Sequence, residues 1–218
     1  MELNTIDLVE NDDDKHCLQA AILTVLQYFR PDADEDMKKL EEITRFDPAK
    51  PTWPFAGWKL LLDHGLSLRN IEPFSPELFG RDPKESIRQQ AGDEAVAKAI
   101  IEASDLNTEV QVLADVVRHE GFTFEVRKPE WTDLTTAATG HSLLMCNVDS
   151  RVLNGREGYA GHFVVVSEVY EDWITLHDPG LPVRANWQVA RDDFIAAWHS
   201  PTDTMANVLI IKDQSGGR

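Results

Sequence analysis

An α+β fold is what the order of hydrophobic patterns along this 218-residue chain predicts. Apolar residues recur at three- and four-residue steps in the stretch up to Glu120, whereas β-branched and apolar runs bounded by turn residues dominate the chain beyond it. No repeat, low-complexity tract or long Gly/Ser linker separates the two textures. At 42% hydrophobic and 27% charged residues, the chain has enough apolar mass for one core. The expectation is a single domain over residues 1–218, with a helical lobe over about 1–120 and a sheet lobe over about 121–218.

The first helix is expected over Cys17–Phe29, where Leu18, Ala21, Ile22, Val25, Leu26 and Phe29 share one face and Pro31 ends the run. The acidic stretch Glu10–Asp14 lies at its positive end, where capping of the helix and solvation are the favoured reading and selection of a basic substrate the alternative. Asp34–Thr44 reads as a short second helix, and Trp53–Leu62 as a third that stops at Gly65. Leu66–Ile71 comes next as a strand. Three prolines between Pro73 and Pro83 predict loop or short turns. Glu85–Ser104, rich in Ala, Ile and Gln, and Thr108–Glu120, closed by Gly121, read as helices. Phe122–Val126, Ser142–Val148, Gly161–Val169 and Trp173–Leu176 then read as strands. The turn Tyr170–Asp172 makes the last two a hairpin, which runs on into His177-Asp178-Pro179-Gly180.

Charge excludes some partners. Twenty-one basic residues against 38 acidic ones give −17, a field that repels nucleic-acid backbones and anionic membranes. No stretch approaches the roughly 18–20 apolar residues of a membrane helix, and the N-terminus lacks the pattern of a signal peptide. The chain therefore reads as cytoplasmic, with neither nucleic acid nor membrane as a partner. Cys17 and Cys146 are too few for a disulfide scaffold and lack zinc-site spacing; a structural disulfide between them is the weakest reading.

Cys17 opens the most apolar helix, where free backbone N–H groups and the macrodipole favour negative charge. A thiolate is the reactive form of cysteine, so a helix-start cysteine with a basic partner makes a nucleophile. Without that partner it is a small core residue. His162 stands at the mouth of an apolar strand, Gly161-His162-Phe-Val-Val-Val, where an imidazole is costly unless its ring has polar partners. The hairpin returns Asp178 to its neighbourhood, in the place of the carboxylate that orients a catalytic imidazole. Each has a plain alternative: a core thiol, a loop-bonded histidine, an Asp-Pro-Gly turn. The three in this order are more specific than any one. His16 should point away from Cys17 around the helix start, His177 should face away from Asp178, Cys146 reads as a core thiol, and His141 as cleft or solvent. The six tryptophans read mainly as core, with Trp187 nearest the expected cleft. A metal site built from Cys17, His162 and Asp178 ranks well below the triad.

Through Asn11-Asp-Asp-Asp-Lys-His-Cys17-Leu-Gln-Ala-Ala, Gly161-His162-Phe-Val-Val-Val and His177-Asp178-Pro179, the chain resembles the C39-like cysteine peptidases of the papain-like superfamily. Phe29-Arg-Pro-Asp32, Trp53-Pro54 and His64-Gly65-Leu66 extend the likeness to bacterial C39-like proteins of unknown substrate. The resemblance implies a papain-like fold in which a helical lobe packs on an antiparallel sheet lobe. It also implies Cys17 as nucleophile, His162 as base, Asp178 as orienter and Asn11 as oxyanion donor. Two positions depart from the family: its Gln six residues before the nucleophile is Asn11, and the Gly after its cysteine is Leu18.

The activity implied is hydrolysis of a peptide or other amide through a thioester, with no cofactor and no metal. Two alternatives stay open: an acyltransferase or amidase on the same fold, and an inactive binding module, which the two departures favour. The oligomeric state is not legible.

Overall fold

The first helix, α1 (Cys17–Phe29), has the expected bounds but is buried all round from Leu18 to Leu26, not along one face. Its polar residues bond inside: Gln19 Nε2 donates to Thr44 Oγ1 at 2.9 Å and Thr24 Oγ1 to the Ala20 carbonyl at 2.9 Å, while Gln19 Oε1 has no partner among the described residues. This geometry comes from a computed structural model that describes residues 6–13, 15–138 and 141–213. Among the described residues the acidic run does not cap α1. Its N-cap is His16, without a side-chain bond, while Asp13 accepts the Lys15 N–H at 3.0 Å and pairs with the His16 ring at 2.8 Å. Asp14 lies outside the described residues.

The second helix, α2 (Met37–Thr44), begins where Asp36 accepts the Lys39 N–H, and α3 (Phe55–Asp63) leads through Gly65, at φ 74°, into β1 (Leu66–Glu72). The proline-broken stretch is not loop: α4 (Pro76–Arg81) and α5 (Pro83–Ala91) both take proline just inside the helix start, after the caps Ser75 and Asp82. The expected helix Glu85–Ser104 is divided, because Gly92 ends α5 at φ 66° and Asp93 caps α6 (Glu94–Ala103). After α7 (Leu106–Arg118) come β2 (Phe122–Val126), α8 (Trp131–Ala137), β3 (Ser142–Asp149), α9 (Ser150–Leu153), β4 (Gly161–Val169) and β5 (Trp173–Asp178). The chain continues through β6 (Arg184–Ala190), α10 (Arg191–Trp198), a 3₁₀ turn and β7 (Val208–Asp213). The helices α8 and α10 and the strands β6 and β7 were not expected from the sequence.

Seven strands form one sheet in the order β2-β1-β7-β3-β4-β5-β6. All neighbours are antiparallel except the edge pair β1–β2. The sheet therefore takes β1, the strand expected at Leu66–Ile71, from the helical lobe and pairs it in parallel with β2. Alternation assigns its two faces: Leu68, Met145, Val165 and Leu209 pack with α1, α3 and α7, while Ile71, Leu144, Val164 and Ile210 pack with α8 and α10. With both faces covered, the central strands read as continuous apolar runs. Among the described residues no helix is long and apolar enough to cross a membrane.

Candidate active site

Cys17 is the first residue of α1 and half-buried, beside the free N–H groups of that helix start. His162 is the second residue of β4, and the ladder that sets Val165 opposite His177 makes Asp178, at the end of β5, its diagonal neighbour. The His162 Nε2 to Asp178 Oδ1 distance is 2.6 Å, and both side chains are buried. The Cys17 side chain lies near enough to the same ring to favour its charged form.

Burial of the imidazole disfavours its charge, but the bond to Asp178 and the nearby Cys17 outweigh burial and push its pKa up to about 10. Burial likewise opposes ionisation of Asp178. The bond from His162, the imidazolium charge, the Gly180 N–H at 2.9 Å from Oδ1 and Arg184 together hold its carboxyl below the usual range. Gly180 crosses tightly over this pair: a Cβ there would stand 2.9 Å from His162 Cε1 and 3.0 Å from Asp178 Oδ1.

Asn11 is fully buried and tied to the same turn, its backbone N–H donating to the Pro179 carbonyl at 3.0 Å. Its Oδ1 accepts the His16 N–H at 3.0 Å, while Nδ2 has no partner among the described residues. Asn11 thus keeps a buried, free amide donor one hydrogen bond away from the start of the helix that carries Cys17.

The structure thus brings Cys17, His162 and Asp178 together, with Asn11 bonded to both the helix start and the Asp178 turn. His16 is engaged elsewhere: its ring lies 2.8 Å from Asp13, 2.9 Å from Glu41 and 3.9 Å, centroid to centroid, from Phe46. His177 bonds Ser167 Oγ at 3.2 Å and His141 is exposed. Cys146 is a free, buried thiol whose pKa burial pushes far up, and Cys17 is free as well, so the disulfide reading falls. Among the described residues no group of three or more His, Cys, Asp or Glu side chains is arranged to hold a metal.

Two contributors were not foreseen. The Arg184 guanidinium lies 3.7 Å from Asp178 Oδ2 and 3.7 Å over the Trp187 ring, which joins Trp187 to the triad's rim. Arg184 faces Asp178 across the β5–β6 ladder, a register invisible without β6. Glu72 shares with Cys17 a cavity of about 500 Å³ whose lining comes from both halves of the chain, including Trp53, Phe55, Tyr159 and Phe163.

A mixed sheet flanked by helices, with a cysteine at a helix start against a buried His–Asp pair, places the chain beside the C39-like peptidases in fold, as its motifs suggested. The peptidase domain of Streptococcus ComA, a bifunctional ABC transporter involved in quorum sensing, superposes with a TM-score of 0.50. At 11% identity, over 96% of this chain and 100% of that one, the match shows the fold alone. In sequence the chain is similar to the probable functional amyloid protease FapD of Pseudomonas fluorescens, 33% identical over 90 residues. That alignment takes in 39% of this chain and 38% of FapD, so the likeness is to part of each protein. No family model matches the chain.

Proposed function

We propose that the protein is a cysteine peptidase or amide hydrolase working through Cys17, His162 and Asp178. The observation that carries this reading is the buried His162–Asp178 pair at 2.6 Å, whose ring is kept charged by Asp178 and by the nearby cysteine at the start of α1. The Cys17 thiolate attacks the amide carbonyl, and the negative charge that develops on oxygen meets the Nδ2 of Asn11. His162 gives its proton to the leaving amine, which departs and leaves a Cys17 thioester. The neutral ring then takes a proton from water as water adds to the thioester; collapse of the adduct frees the acid and restores the thiolate–imidazolium pair. Asp178 holds the ring in one orientation through both halves. These steps draw on no cofactor. The substrate class is a peptide, in keeping with the peptidase names of both relatives. Residues 1–218 act as one domain of two lobes in a cytoplasmic setting, the cleft being lined from both lobes.

The test is selective alkylation. Near neutral pH iodoacetamide labels Cys17 at least tenfold faster than buried Cys146, followed by intact mass, and Cys17→Ala abolishes both the fast phase and any peptide hydrolysis. Slow labelling of both cysteines would instead favour a binding module on the same fold.

A further inference from the structure

Glu72 ends β1 on the face where Leu66 and Leu68 meet the helices, so alternation puts a carboxylate where an apolar residue would ordinarily finish the core. It is 7% exposed and lines the cavity beside Cys17. Its polar surroundings are neutral amides: Asn70 Nδ2 donates to Oε1 at 2.8 Å, and Asn207 lies near enough to favour the carboxylate. Asn207 Oδ1 accepts the Asn147 N–H at 2.8 Å, and Asn147 Oδ1 accepts the His162 N–H at 3.2 Å. Neutral amides therefore run from the surroundings of the carboxylate to the strand of the candidate base.

No cation among the described residues pairs with it. Lys15 and Lys50 line the same cavity without bonding it, and Lys50 lies 3.2 Å from Asp47. Burial without a counter-ion pushes the carboxyl up to about 7, against the two amides. A glutamate here is costly in the empty cleft, and a cation that arrives with the substrate would offset that cost. The rest of the cavity suits the methylenes that carry such a cation, since Trp53, Phe55, Phe74 and Phe163 wall it. The net charge of −17, with Glu10, Asp12 and Asp13 exposed around buried Asn11, favours the approach of a basic peptide.

We propose that Glu72 determines specificity: it pairs with the ammonium or guanidinium of a lysine or arginine in a peptide bound alongside Cys17, the aliphatic stem packing on the aromatic walls. The inference rests on the peptidase reading for the peptide's presence, but the pairing itself needs no turnover. The test therefore uses the Cys17→Ala protein, titrated by tryptophan fluorescence with acetylated, amidated pentaalanine peptides that carry lysine or norleucine at each position in turn.

At one position at least, lysine should bind about tenfold or more tightly than norleucine, and Glu72→Gln should bring the two within about twofold while norleucine binding persists. Should Glu72→Gln not fold, calorimetry on the Glu72 protein near pH 7 in buffers of different ionisation heat gives the second readout. Proton release with the lysine peptide and none with norleucine is the expected result. Equal affinities at every position, no binding by any lysine peptide, a preference that survives Glu72→Gln, or no proton release overturns the proposal. Failure of the wild type to hydrolyse peptides, with the lysine preference intact, would overturn the peptidase reading and leave this one standing.

Discussion

His162 is charged across the neutral range because Asp178 and Cys17 outweigh its burial, and that charge sits where a thiolate would form. The remaining need is a donor for the oxygen of the substrate carbonyl. Asn11 brings a free Nδ2, and its Oδ1 is already occupied by the His16 N–H. Asn11→Asp keeps that acceptor and removes the donor, so it should lower kcat by roughly 10²–10³-fold with KM little changed. Steady-state kinetics on a hydrolysed peptide checks this, and unchanged kcat would move the oxyanion to backbone N–H groups alone. Three of the candidate residues are legible in the sequence because each carries a local anomaly: a cysteine at a helix start, a histidine opening an apolar strand, Asp-Pro-Gly after a hairpin; Asn11 comes only from the resemblance to the C39-like peptidases. Arg184 and Glu72 are not legible in that way. What distinguishes them is what they face across the sheet, and this depends on register.

Among the elements, α3 meets α1 at Gly57, where a Cβ would stand 2.1 Å from Ile22 Cδ1. Ile22 is fully buried among α1, α3 and the sheet and has little room to yield. Gly57→Ala gains helix propensity but overpacks this contact, so a net loss of about 1–3 kcal/mol is expected, read from the urea midpoint. An unchanged or higher midpoint would mean that α1 can shift without cost. Most helix and strand interiors follow from periodicity. The break at Gly92-Asp93 and the starts at Ser75-Pro76 and Asp82-Pro83 carry cap signals that a reading by composition overrides. The polar edge strand β6, whose residues alternate only weakly between buried and exposed, has no such signal. The apolar run of β7 has one, in Val208–Ile211.

For the whole molecule, the decisive step is that a helix from the beginning of the chain and a hairpin from its far half meet at one cleft. The sheet makes this possible by taking β1 and β7 side by side, so that α1 lies over β4 while the β4–β5 hairpin presents His162 and Asp178 to its start. The order of helices then strands reveals the class but not this interleaving, because strand order is set by long-range pairing. The central claim is that the imidazolium and the Cys17 sulfur act as a pair. The most direct measurement is the rate of Cys17 alkylation by iodoacetamide against pH, in the wild type and in His162→Ala. The imidazolium persists up to about pH 10, and a positive charge beside a thiol speeds its alkylation. Removing it should move the alkylation profile to higher pH by about one unit or more. A profile that stays in place in His162→Ala would contradict the pairing and leave the helix start as the sole influence on Cys17.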